Sequence, residues 1–204
     1  LNLHFKLSRG LFKSPILIKA VDNISFSLFS GETLGIVGES GSGKSSLCRL
    51  ILKLINKTSG SISWFNNDID SLNSSELKNF RKSVQVIFQD PYGSLDPRMT
   101  IGKIISEPLD IYRKNLKTKE KEELVIKAMT DVGLSNELFN RYPHELSGGQ
   151  CQRVGIARSL INKPTVLICD EPVSALDLSI QAQILDLIKI LKEKYKLTII
   201  FVSH

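Results

Sequence analysis

Residues 32–54 run ETLGIVGESGSGKSSLCRLILKL, an apolar stretch, a glycine-rich octet and a helix-forming segment placed end to end. Few folds accept that succession. The octet GESGSGKS (38–45) fits the pattern G-x-x-x-x-G-K-[ST], between a strand and the helix it opens. Its glycines let backbone N–H groups curl round phosphate oxygens, and the helix N-terminus adds a partial positive charge. Gly38, Glu39, Ser40, Gly41, Ser42, Gly43, Lys44, Ser45 and Ser46 form the candidate phosphate cradle. In it Lys44 is the charge for the β- and γ-phosphates, and the Ser45 hydroxyl is the ligand for Mg²⁺.

A second run, VLICDE (166–171), ends in Asp170 and Glu171. Carboxylates at the end of a buried strand face the crevice where α/β proteins hold ligands. Asp170 is expected to hold Mg²⁺ and Glu171 to orient or deprotonate an attacking water. Three further runs read as strands beside it: ETLGIVG (32–38), VQVIFQ (84–89) and LTIIFVSH (197–204). They do not alternate, which predicts strands buried on both faces in a parallel sheet. AVDNISFSL (20–28) and GSISWF (60–65) alternate more and predict a half-exposed antiparallel sheet.

Helical spacing falls between these runs, over 43–54, 118–132 and 179–195. Asn73 with Glu76 three residues later resembles a capping box. About 75 residues between Gln89 and Pro164 hold no convincing buried strand, so they read as a helical unit inserted into an α/β core. The expected division is 1–88 and 164–204 for the core and 89–163 for the insert.

The net charge of +6 raises nucleic acid as a partner. The lysines are mixed with glutamate, however, in KTKEKEE (117–123) and KILKEKYK (189–196), which read as solvated helix faces. Cys48, Cys151 and Cys169 have neither paired nor metal-ligand spacing, which argues for a reducing compartment. No apolar run reaches bilayer length, and no signal peptide is legible. Leu1 stands where a start Met would, so the beginning reads as trimmed.

ELSGGQ (145–150) opens another segment of helical spacing, with Val154, Ala157 and Leu160 on one face. Paired glycines start a helix poorly unless the backbone there must meet something a side chain would block. As for the nucleotide, a guanine reader would carry N-K-x-D. The nearest match, Asn162-Lys163-Pro164-Thr165, lacks the carboxylate, so ATP is expected. Phe12 is the candidate for stacking on adenine.

With GESGSGKS, Gln89 in VIFQD, LSGGQ, ICDE (168–171), SALD (174–177) and His204 in this order, nearly the whole chain resembles the ATP-binding cassette family. The resemblance implies a P-loop NTPase core, with a mostly parallel sheet, an N-terminal antiparallel β subdomain and an inserted helical subdomain. It implies ATP and Mg²⁺ as cofactors and a dimer in which two chains clamp two ATP molecules. Leu146, Ser147, Gly148, Gly149 and Gln150 would then face the nucleotide held by the partner chain. Gln89 would join the insert to the Mg²⁺ and water site, Asp177 would lie at the dimer seam, and His204 would contact the γ-phosphate. KAVDNISF (19–26), RYPHELSGGQCQRVGIARSL (141–160) and CDEPVSALDLSIQAQI (169–184) resemble the ATPases of oligopeptide and dipeptide importers, nearer the second of their two paired subunits. The implied partners are a second ATPase subunit, two membrane permease subunits and, indirectly, a peptide-binding protein, with no nucleic acid. The implied location is peripheral, on the cytoplasmic face of the inner or plasma membrane.

The family continues beyond its switch histidine, whereas this sequence stops at His204. A trimmed domain, half of a tandem ATPase and a gene fragment all fit. Other cargo, such as nickel or a peptide-like antibiotic, stays open, because cargo never touches these subunits. So do a cassette acting on ribosome or nucleic acid and a domain that binds ATP without turnover. The absence of heptads in the insert disfavours the first of these, and Glu171 disfavours the second.

Overall fold

A computed structural model describes residues 1–7 and 16–204. Strands β1 (Leu3–Leu7) and β2 (Ile16–Val21) pair antiparallel. Next come β3 (Thr33–Val37) and helix α1 (Lys44–Ile51). A two-residue hairpin, β4 (Ser63–Trp64) with β5 (Asn67–Asp68), leads to α2 (Ser74–Ser83) and β6 (Val84–Ile87). Residues 89–163 carry α3 (Ile101–Tyr112), α4 (Thr118–Asp131), two short 3-10 turns and α5 (Gly148–Leu160), with no strand among them. The described chain closes with β7 (Val166–Asp170), α6 (Leu178–Tyr195) and β8 (Thr198–Ser203).

The central sheet is parallel, in the order β3-β8-β7-β6. Its register sets Val37 beside Ser203, Val202 beside Asp170, and Cys169 beside Ile87. The four strands therefore end together, and the residues that follow them share one edge. β7 is buried along its whole length, as a continuous apolar run between covered faces should be. Each such Ile, Leu or Val contributes roughly 1.5–3 kcal/mol by leaving water. β3 departs from the expectation of burial on both faces. It is the edge strand of the described sheet, and Val37 is 77% exposed.

The helices bury the spacing that announced them. α6 turns Ile184, Leu187, Ile188 and Leu191 to the core. α4 buries Val125, Ala128 and Met129. α5 is buried nearly all round, which suits a helix packed between others and not a surface helix. The capping box is present on α2: Asn73 Oδ1 accepts from the Ser75 and Glu76 amides, and Glu76 returns a bond to the Asn73 N–H. α1 is shorter than the expected 43–54.

AVDNISFSL departs further, since only Ala20 and Val21 of it are strand. Ile24 exchanges hydrogen bonds with Leu1, but no ladder continues from there among the described residues. Alternation supplies a face for a strand, and a strand also needs a partner for its N–H and C=O groups. No helix among the described residues is long and apolar enough to cross a membrane.

Candidate active site

The phosphate loop leaves β3 and closes on α1. Its turn is tied by Ser42 N–H donating to Glu39 O at 3.2 Å. Gly43 sits at φ 96°, where only glycine is free of strain, and a Cβ there would lie 1.9 Å from the carbonyl oxygen of Ala20. That contact packs the end of β2 against the loop. Gly43 is also the N-cap of α1, and no side chain caps it. The first amides of this helix are thus offered to whatever enters the loop.

Lys44 is buried, and its ammonium donates to Gly38 O at 2.7 Å and Glu39 O at 2.9 Å. It also lies 3.5 Å from Glu171 Oε1. Next along the helix, Ser45 Oγ donates to Asp170 Oδ1 at 3.1 Å. Burial pushes the Asp170 carboxyl above its ordinary range, and the neighbouring Glu171 charge adds to this, against the Ser45 bond. Ser46 follows on the first turn of α1.

Glu171 is the point of convergence. Gln89 Nε2 donates to its Oε2 at 3.0 Å, and His204 Nδ1 stands 3.6 Å from the same oxygen. With Lys44 near the other oxygen, one donor and two nearby nitrogens, each following a different strand, gather round one carboxylate. Its backbone lies at φ 49°, the left-handed region, which costs a non-glycine residue on the order of 1 kcal/mol. Neighbours hold it there: Glu171 N–H donates to Val202 O, and Glu171 O accepts from the N–H and the hydroxyl of Ser174. An open cavity of about 390 Å³ lies in front, lined by Ser40, Gln89, Glu171, Ser174, Ala175 and His204.

The residues of LSGGQ do not line that cavity. Leu146 is buried, Ser147 is the N-cap of α5, and Gly148, Gly149 and Gln150 form its first turn. Ser147 Oγ accepts from Gln150 N–H at 3.3 Å, and Gln150 Oε1 accepts from Ser147 N–H at 2.9 Å. The glycines have a reason that spacing alone does not give. A Cβ on Gly149 would lie 2.7 Å from Ile180 Cγ2, and one on Gly148 would touch Leu176 at 3.4 Å. The room at Gly149 is filled by the first turn of α6. Asp177, the exposed N-cap of α6, makes no side-chain cap bond. Phe12 lies outside the described residues.

Several long-range ties escaped sequence reasoning. Tyr92 Oη donates to Leu146 O at 3.0 Å, and Arg158 donates to Ser94 O at 2.7 Å. Both fasten the turn after Gln89 to α5. Gln152 Nε2 donates to Pro172 O at 2.6 Å, reaching the residue after Glu171. The only signal was the polar Gln152 and Arg158 among the apolar residues of α5, and Tyr92, in a turn, gave none. The three cysteines are free and buried, and burial holds the Cys48 thiol up at about 12 and the Cys151 thiol at about 11. As core thiols they are poor nucleophiles.

The family model described as ABC transporter matches residues 21–174. The chain is 51% identical to the oligopeptide transport ATP-binding protein OppF of Haemophilus influenzae and 48% identical to that of Escherichia coli. In both cases the match covers 100% of this chain and 62% of the relative, so the chain spans less than two thirds of their length. Among solved structures it resembles the dimer of the ATP-binding cassette MJ0796 in a post-hydrolysis state bound to ADP and Pi. That likeness has a TM-score of 0.86 at 31% identity, over 100% of this chain and 85% of the other. With the family model over three quarters of its residues and a cassette fold throughout, the chain belongs to the ABC transporter family.

Proposed function

We propose that this chain is an ATP-hydrolysing subunit that drives import of oligopeptides or dipeptides. The observation that carries the reading is the meeting of Lys44, Gln89 and His204 on Glu171, in front of the phosphate loop. The relatives named as oligopeptide transport ATP-binding proteins support the cargo.

The amides of the loop and of the first turn of α1 take the phosphate oxygens, and Lys44 turns from its own loop carbonyls to the β- and γ-phosphates. Ser45, Asp170 and Gln89 suit Mg²⁺. The Ser45 hydroxyl and the Asp170 carboxylate are already in hydrogen-bond contact, and both are hard oxygen donors. Among the described residues no three His, Cys, Asp or Glu side chains cluster as a metal cage. Mg²⁺ needs none, since it takes one or two carboxylates and completes its shell with water and phosphate. When bound it neutralises charge on the β- and γ-phosphates.

Glu171 accepts the proton of the attacking water, or orients it, while Gln89 fixes the carboxylate. His204 reaches the γ-phosphate from the end of β8. A second ATPase subunit brings its own Leu146–Gln150 stretch to this nucleotide, and Asp177 lies at the seam between the two. Residues 89–163 act as the inserted helical unit that passes the motion to two membrane permease subunits, with a peptide-binding protein delivering cargo. The chain sits on the cytoplasmic face of the membrane through those partners.

The test is ATP turnover and peptide uptake by the assembled transporter in vesicles. Glu171→Gln keeps the shape and removes the base, so ATP binding is retained and turnover falls by about 100-fold or more. Near-normal turnover in that variant removes Glu171 from the chemistry. ATP-driven uptake of another solute, with peptides ignored, overturns the cargo.

A further inference from the structure

Gln152 is a polar side chain in the middle of α5, 2% exposed, that faces neither the cavity nor solvent. Its Nε2 spends its bond on Pro172 O, at 2.6 Å, across the gap between α5 and the turn that follows β7. Pro172 is itself buried and comes directly after Glu171. The Glu171 backbone is left-handed, a conformation its side chain does not favour. It is therefore kept by its neighbours: Val202 O on its N–H, Ser174 on its carbonyl, and Gln152 on the next carbonyl along. Of these, Gln152 alone belongs to the helix that begins at Ser147, five residues before it.

We infer that Gln152 is a positioning residue for hydrolysis. It holds the turn that aims the Glu171 carboxylate and ties that aim to the place of α5. A shift of the helix start moves Pro172 through this bond, and Glu171 with it. The helix that would meet a partner's nucleotide thus sets the geometry of the chain's own catalytic group. This inference rests on the reading of Glu171 as the group that activates water. It predicts an effect on the chemical step and none on nucleotide affinity, because Gln152 makes its hydrogen bond to Pro172 O and none to the phosphate loop.

The experiment is a double-mutant cycle in the assembled transporter. Gln152→Met keeps the length and the apolar contacts and removes the donor. Gln152→Asn keeps the amide but withdraws it by one methylene, and it carries the test if the Met variant does not fold. Expected for either is an ATP Kd within about twofold of wild type and a kcat lower by about 10- to 100-fold, the loss that follows a small misplacement of a reacting group. Placed on Glu171→Gln, the same change lowers the residual single-turnover rate no further, since there is no longer a carboxylate to aim. An equal fold loss in both backgrounds makes Gln152 a merely structural residue and overturns the inference. So does an unchanged kcat, or a loss of ATP affinity that matches the loss of rate. Glu171→Gln alone separates the two readings. If it turns over normally, the role of Glu171 falls and takes this inference with it. If it is slow while the Gln152 variants are fast, only the positioning role falls.

Discussion

Two helix starts in this chain look alike in sequence and differ in construction. α1 opens from GSGKS and α5 from LSGGQ, each a serine and glycines before a helix. At α1 the cap is Gly43, left-handed and without a side-chain bond, and its Cα faces the Ala20 carbonyl. At α5 the cap is Ser147 in extended backbone, and a capping box with Gln150 satisfies two amides. The first start leaves its donors open to an anion. The second satisfies two amides with its own side chains and leaves only the remaining ones open. A glycine at a helix start can thus answer to backbone conformation, as at Gly43, or to a neighbouring helix, as at Gly149.

The comparison breaks first at Gly43. Gly43→Ala puts a Cβ against a backbone oxygen at a φ that alanine avoids, and neither can give way cheaply. The loop and the first turn of α1 must shift, taking at least two charge-assisted bonds to phosphate with them. At about 1.5–3 kcal/mol each, ATP affinity falls by about 100-fold or more. Lys44→Ala leaves the loop in place and removes one charged contact, so the loss is smaller, about 10- to 100-fold. Nucleotide titration of the two variants side by side checks the order. Equal affinities for Lys44→Ala and wild type remove the lysine from the site.

How far the sequence carried this reading follows from the range of each interaction. β6, β7 and β8 and the buried faces of α4 and α6 were legible, because an unbroken apolar run and a repeat of 3.6 are both written into neighbouring residues. The places of Gln89 and His204 came from the family resemblance and not from spacing, and the parallel register shows why they share an edge with Glu171. The strand expected at AVDNISFSL was not formed beyond Val21, because alternation shows a face and not the partner that must pair with it. β3 reads as apolar as β7 and yet lies at an edge, and strand order is not a local property. The ties Tyr92–Leu146, Arg158–Ser94 and Gln152–Pro172 join residues far apart in sequence, where spacing has nothing to say. That Gly149 also makes room for Ile180 was hidden for the same reason, since Ile180 lies 31 positions on.

Gly149 gives the next test. Its missing Cβ makes room for Ile180 Cγ2, the end of a side chain and not backbone. Gly149→Ala should therefore be absorbed with strain, at about 1–3 kcal/mol of stability, the usual cost of overpacking. ATP binding at the chain's own phosphate loop should not change. Ile180→Ala removes the obstructing methyl, so the double variant should be more stable than the sum of the single losses predicts. Thermal or urea unfolding of the four proteins measures this coupling. Strict additivity would mean that the close approach of α6 is not what requires glycine at 149.

Ser147 separates capping from any meeting with a partner's nucleotide, at the smallest cost to the fold. Its hydroxyl accepts from Gln150 N–H at 3.3 Å, beyond the ordinary 2.9–3.0 Å for such a bond. The cap is therefore a weak one, and Ser147→Ala should lose about 0.5–1 kcal/mol, the lower part of the range for N-cap removal. Ser147→Asp should lose less, because aspartate caps as well as serine and its charge suits a helix N-terminus. The same charge is hostile to a phosphate arriving from another chain. If α5 begins only to hold its own helix, Ser147→Asp turns over ATP like wild type and Ser147→Ala is the worse of the two. If the start receives a partner's γ-phosphate, the order reverses: Ser147→Asp is the more stable protein and the slower enzyme, with ATP affinity at its own Lys44 site unchanged. Unfolding midpoints and turnover, measured together in the assembled transporter, read both orders in one experiment. A variant with aspartate at 147 that is both stable and fully active would leave α1 as the one helix start of the pair that meets phosphate.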